Sequence, residues 1–107
     1  MHLVVLRRAL YEKNPAIAAA LAKAFQGAKQ HACHRLEEGL SPMPWMNLDL
    51  EYARQTMGRD TYPYGVKLNL PTLEAATLYS YEQGLTERKL SVNELFAPET
   101  LDLCSDG

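Results

Sequence analysis

The chain has 107 residues, 47% of them hydrophobic, with 11 basic and 13 acidic side chains and a net charge of −2. That length allows one domain at most, and the composition is not that of a disordered chain. The balance of charge supplies no basic footprint for nucleic acid and no polybasic patch for a membrane surface, so neither is expected as a partner.

In chain order, Met1 to Leu6 comes first: after His2, the residues Leu3, Val4, Val5 and Leu6 are apolar with no polar alternation. This predicts a fully buried β-strand over residues 2–7. A strand of that kind needs partners, and the best second candidate is the short run Tyr64 to Leu68. Two short strands alone are marginal in water. The expected fold class is therefore mainly α with one or two short β-strands, a piece of a larger α/β protein or a unit that borrows a partner. The apolar run at the start is too short for a signal-peptide core or a membrane span.

Asn14-Pro15 is a strong helix start, a cap followed by proline at the first helical position. The helix expected at about 15–37 carries Ile17, Leu21, Ala24, Phe25, Ala28, Ala32 and Leu36 in one apolar stripe. Gly39 is its natural stop. A loop with Pro42, Pro44 and Trp45 follows, and then a short helix at about 50–57, capped by Asn47 or Asp49 and ended by Gly58.

Tyr62-Pro-Tyr-Gly65 must be a turn, because Pro63 lacks an N–H and Gly65 favours unusual dihedrals. Asn69 is a candidate N-cap for a helix at about 70–83, with Pro71 in its first turn and Gly84 past its end. Ser91-Val-Asn-Glu94 reads as a capping box opening a helix at 92–96, and Pro98 stops it. Residues 1–102 form the expected unit, and 103–107 a loose tail.

Several residues can carry chemistry. His31, Cys33 and His34, with Glu37 and Glu38 one turn on, sit at spacings that let imidazoles share a metal. They match no established metal signature, and a polar helix face accounts for them equally well, so no metal is assigned. His2 can serve as an acid or base near neutral pH. Arg7, Arg8 and Arg59 offer guanidinium groups for a carboxylate; a solvated charge at a strand end is the alternative for Arg8. Tyr62 and Tyr64 flank a proline before a helix start, which suits either an aromatic ligand wall or a packing turn. No nucleophile elbow, phosphate loop or dinucleotide fingerprint is present. Cys33 and Cys104 have nothing to bring them together, and two free thiols in a cytoplasmic protein are expected.

One set of residues resembles a known family. The run His2 to Arg8, Tyr11-Glu, Asn14-Pro15, Ala28-Lys29, Met57-Gly-Arg-Asp60, Tyr62-Pro-Tyr-Gly65, Asn69, Thr72-Leu-Glu74, Tyr79 to Leu85 and Glu94 to Leu101 is similar to the C-terminal third of 4,5-dihydroxyphthalate decarboxylases. The two runs YEQGL and ELFAPETL together carry most of the specificity. The resemblance implies an α/β lobe of a type 2 periplasmic-binding-protein-like fold, with His2 and its strand at the segment that crosses back into the first lobe. It implies non-oxidative loss of CO₂ from a dihydroxylated aromatic dicarboxylate, with no cofactor. Within it, His2 is the candidate catalytic acid, and Arg8, Tyr62, Tyr64 and Asn69 are the candidate substrate contacts. The implied partners are a small aromatic carboxylate and either the missing N-terminal part of the same fold or another copy of the chain. The alternative is a fragment of a solute-binding protein of the same fold that performs no chemistry.

Overall fold

The computed structural model describes residues 2–40 and 43–104. Five helices occur among them: α1 (Arg8–Lys13), α2 (Ala16–Glu37), α3 (Met46–Met57), α4 (Leu70–Glu82) and α5 (Val92–Leu95). Two 3-10 turns, Lys67–Asn69 and Pro98–Thr100, complete the regular structure.

The α/β expectation is overturned: among the described residues there is no β-strand. Residues 2–7 lie outside any ladder, and Leu3, Val4 and Val5 are exposed, Val5 at 86%. The physical reason is a missing partner. A strand's N–H and C=O groups need a neighbour. The second candidate, Tyr64 to Leu68, instead enters a turn at Gly65 and the 3-10 turn at Lys67. An α/β lobe of the periplasmic-binding-protein type is accordingly not formed by the described residues.

The helices follow local chemistry closely. The N–H of Ile17 donates to the Asn14 carbonyl at 3.0 Å as α2 begins. Helix α3 starts at Met46, earlier than Asn47 or Asp49 would set it, because Trp45 takes a left-handed conformation (φ 67°) and its carbonyl accepts from Leu48 and Asp49. Helix α4 ends in a Schellman turn: Gly84 at φ 72° donates to the Tyr81 carbonyl at 3.0 Å, and Leu85 donates to Ser80 at 2.9 Å. At α5 both halves of the capping box are formed, with the Ser91 N–H donating to a Glu94 carboxylate oxygen at 2.8 Å. Arg88 adds a two-pronged contact to the same carboxylate, at 2.7 and 3.1 Å. These donors hold the Glu94 carboxyl down at about 2, the Arg88 guanidinium being the largest cause.

The core is small and lies toward the C-terminus. Val66, Leu73 and Val92 are buried together, with Phe96 and Leu101 packed on them. In the first half only Ala18 is buried among the described hydrophobic residues. The molecule measures 47 × 34 × 22 Å, with a radius of gyration of 16.7 Å against about 13 Å for a compact chain of this length. Its accessible surface is 8545 Å², where a compact chain of 12.0 kDa exposes about 6,000 Å².

Candidate functional site at the aromatic turn

The turn from Asp60 to Asn69 is built by two side chains that act on its backbone. Asp60 Oδ1 accepts the Tyr62 N–H at 3.2 Å, an aspartate turn that follows from its own short side chain. Asn69 closes the other end: its Nδ2 donates to the Pro63 carbonyl at 2.8 Å and to the Gly65 carbonyl at 2.9 Å. Gly65 sits at φ 100°, and a Cβ there would lie 2.7 Å from the Leu103 carbonyl oxygen. The segment Leu101–Cys104 therefore closes directly over the turn, in a place only glycine allows.

A third side chain arrives from α2. Lys29 Nζ reaches Asp60 Oδ1 and Oδ2 at 2.7 and 2.6 Å and the Tyr62 carbonyl at 2.6 Å. It also stands 4.7 Å above the centre of the Tyr64 ring, a cation–π arrangement. The Lys29 and Asp60 side chains are 14% and 24% exposed, so solvent screens this pair less than a surface one. An ammonium has three protons, and this one directs them to a carboxylate, a carbonyl and a ring face. Lys29 is thus a clamp on the turn, with no donor left for a ligand.

What remains free on the turn is informative. Tyr62 is 76% exposed and Tyr64 40%, and among the described residues neither phenol makes a hydrogen bond. Arg59, just ahead of Asp60, is exposed and its guanidinium is likewise unpaired. A cation and two phenol hydroxyls on one rigid turn can bind a carboxylate and hydrogen-bond a hydroxylated ring.

The structure brings Tyr62, Tyr64 and Asn69 together on this turn. Asn69 holds it in shape with both of its amide protons. His2 is exposed in the segment before α1, and Arg8 is exposed as the first residue of α1. No hydrogen bond or ion pair among the described residues ties either to the turn. Two open grooves, of about 410 and 310 Å³, lie beside the turn, the first against the Leu103 and Cys104 that close over it and the second against its Val66. One is lined by Lys23, Gln26, Gln30 and Leu103 among others, the other by Val66, Leu70, Asn93 and Pro98 among others. Neither is lined by His2, Arg8, Tyr62, Tyr64 or Asn69. His34 pairs with Glu38 at 3.3 Å, and no group of three potential metal ligands forms among the described residues. Cys33 and Cys104 are both free thiols. No helix among the described residues is long and apolar enough to cross a membrane.

Sequence reasoning passed over Lys29 and the Asp60 carboxylate as site elements. Asp60 two residues before Tyr62 was a readable turn signal. The Lys29 contact spans 31 residues of chain, and no local pattern announces it.

Comparison with known proteins gives one relative. The chain is 32% identical over 105 residues to the 4,5-dihydroxyphthalate decarboxylase of Comamonas testosteroni, a match that takes in 95% of this chain and 32% of that protein. The chain spans about a third of the length of the curated relative it matches. The relationship is a distant one. No family model matches the chain, and no solved structure matches it.

Proposed function

We propose that this chain forms the C-terminal portion of a decarboxylase-like protein that removes CO₂, without oxidation, from a dihydroxylated aromatic dicarboxylate. The carrying observation is the 32% identity across 105 residues to a protein named for decarboxylating 4,5-dihydroxyphthalate. The free groups on the aromatic turn support it: Tyr62 and Tyr64 match ring hydroxyls, and Arg59 matches a retained carboxylate. Unpaired Cys33 and Cys104 fit a reducing, cytoplasmic setting, which belongs to the same reading.

The chemistry asks little of a cofactor. A hydroxyl para to the leaving carboxylate pushes electron density to the ring carbon that bears it. A proton adds at that carbon, the bond to CO₂ breaks, and its electron pair restores the aromatic ring. The protein must supply the proton and stabilise the charge that builds up. His2 is the proposed donor, and Arg8 the proposed partner for charge. Both stand free of other partners among the described residues, so nothing competes for them. Their convergence on the turn is assigned to the counterpart of the part of the relative outside the match, which would cover the exposed Leu3 to Val5 segment.

The test is reconstitution. The chain is produced together with the unmatched part of the Comamonas protein, and CO₂ release from 4,5-dihydroxyphthalate is followed by ring absorbance. Turnover that His2→Gln abolishes while substrate still binds supports the reading. Binding without CO₂ release makes the assembly a ligand-binding protein. Neither binding nor release from a complex that demonstrably forms removes the substrate assignment altogether.

A further inference from the structure

The C-terminal segment crosses the aromatic turn at Gly65. Leu101 is its anchor, packed on the core of Val66, Leu73 and Val92. Past Leu101 the hold changes in kind. The Leu103 N–H turns back to the Thr100 carbonyl at 3.3 Å, and Cys104 makes no backbone hydrogen bond among the described residues. From the turn side, Lys67 Nζ meets Asp102 Oδ1 at 2.7 Å. Those two side chains are 61% and 81% exposed, against 14% and 24% for Lys29 and Asp60. The turn therefore has one shielded ion pair beneath it and one that water and salt reach freely. Seating the segment also has a cost: Cys104 is held at φ 57°, a left-handed position that strains a residue with a side chain.

We propose that residues 102–104 are a strap that opens and closes over Gly65, with the Lys67–Asp102 pair as its latch. Leu101 stays in the core and is the fixed end. A pair so exposed shifts an equilibrium only a few-fold, and the strain at Cys104 acts against it, so the closed strap is poised for release. Asp102 lines both of the grooves beside the turn, and the strap is the wall between them. When it lifts, the grooves run together across Gly65 and Val66 into one trough of a size that small ligands fill. The inference does not rest on the decarboxylase reading, since it uses only the contacts of the strap itself.

The half-buried Cys104 thiol reports the motion. Its reaction with neutral dipyridyl disulfide, in a Cys33→Ser chain, follows the open fraction of the strap. Sodium chloride raised from about 0.01 M to about 1 M shortens the screening length from about 30 to about 3 Å. The Cys104 rate should then rise about two- to fivefold. Cys33, read in a Cys104→Ser chain, gives the effect of salt on an exposed thiol, for which the rate is corrected. Lys67→Met and Asp102→Asn should each start near the high-salt rate and respond no further, with helix content by circular dichroism unchanged. A direct effect of charge on the thiol would move these two variants in opposite directions, because one removes a cation and the other an anion; the latch moves them in the same direction. Opposite shifts overturn the proposal, and so does a salt response that survives in Lys67→Met. A parent Cys104 that reacts at low salt as fast as in the urea-unfolded chain also overturns it, since the strap would then not be seated.

Discussion

Between Asp60 and Cys104 the chain closes on itself. Its turn is pinned at both ends, two of its helices carry formed caps or stops, and Val66, Leu73 and Val92 share one small core. Between His2 and Met57 it is more helical, yet almost nothing apolar is buried. Helix α1 has no buried residue, α3 has none, and α2 has Ala18 alone. Helices form in both regions, those of the first without a side-chain cap, but helix formation does not by itself make a core. The difference teaches that a helix can carry an apolar stripe here and leave the middle of it open to water.

The largest test of this contrast is truncation of the core. Leu73, 4% exposed, changed to alanine should cost about 2–4 kcal/mol in urea unfolding. Phe25→Ala in the monomer should cost about 1 kcal/mol, since half the ring is already in water. Equal losses at the two sites would erase the distinction.

Next comes Gly65→Ala. The left-handed position costs about 1–3 kcal/mol for a side chain, and the new methyl meets the Leu103 and Cys104 carbonyls at 2.7 and 2.9 Å. The 101–104 segment should lift, and the Cys104 thiol should react faster with a disulfide reagent while exposed Cys33 keeps its rate. An unchanged Cys104 rate would show that the closure is not held there.

Lys29→Met tests the link between the regions. It leaves the Asp60 carboxylate partly buried with the Tyr62 N–H as its remaining partner, at a cost of about 1–3 kcal/mol. Amide hydrogen exchange should quicken through residues 60–66 and hardly change in α5. Uniform quickening would mean the turn has no separate stability.

The smallest effect is set by pH. Glu94 falls from an ordinary 4.5 to about 2 in the folded chain, so the unfolded chain binds more protons between those values. Its contribution is complete above about pH 4.5 and is lost as pH falls toward about 2. The site is fully exposed, so the loss should be slight and weakened by salt. Thermal midpoints of the parent chain and Glu94→Gln should converge at the acid end; a constant gap would assign the difference to something other than this carboxylate.

How much of this was written in the sequence depends on range. Gly84 and the Ser91 to Glu94 box act within one turn of helix, and they can be read without knowing the rest; Asn14-Pro15 marks where α2 starts, but no side chain caps it. Met1 to Leu6 could not be read that way. A continuous apolar run states what the segment would bury, and the partner decides whether it becomes a strand. The start of α3 was obscured because Trp45, rather than a small polar residue, takes the left-handed position before it. At the candidate site the turn itself was legible from Pro63 and Gly65. The Lys29 clamp was not, nor was the use of both Asn69 amide protons inside the turn, because each depends on where distant backbone arrives.

The hydrogen bond from the Tyr11 hydroxyl to a Glu99 carboxylate oxygen, 2.8 Å long across 88 residues, has a bearing on the order of assembly. Closing a loop costs about 0.6 kcal/mol more for each doubling of its length, so the short-range contacts of α4 and α5 should form well before it. The first region then docks late onto a preformed second one. In the nascent chain the helices of the first region wait until the last residues needed to hold them have been made.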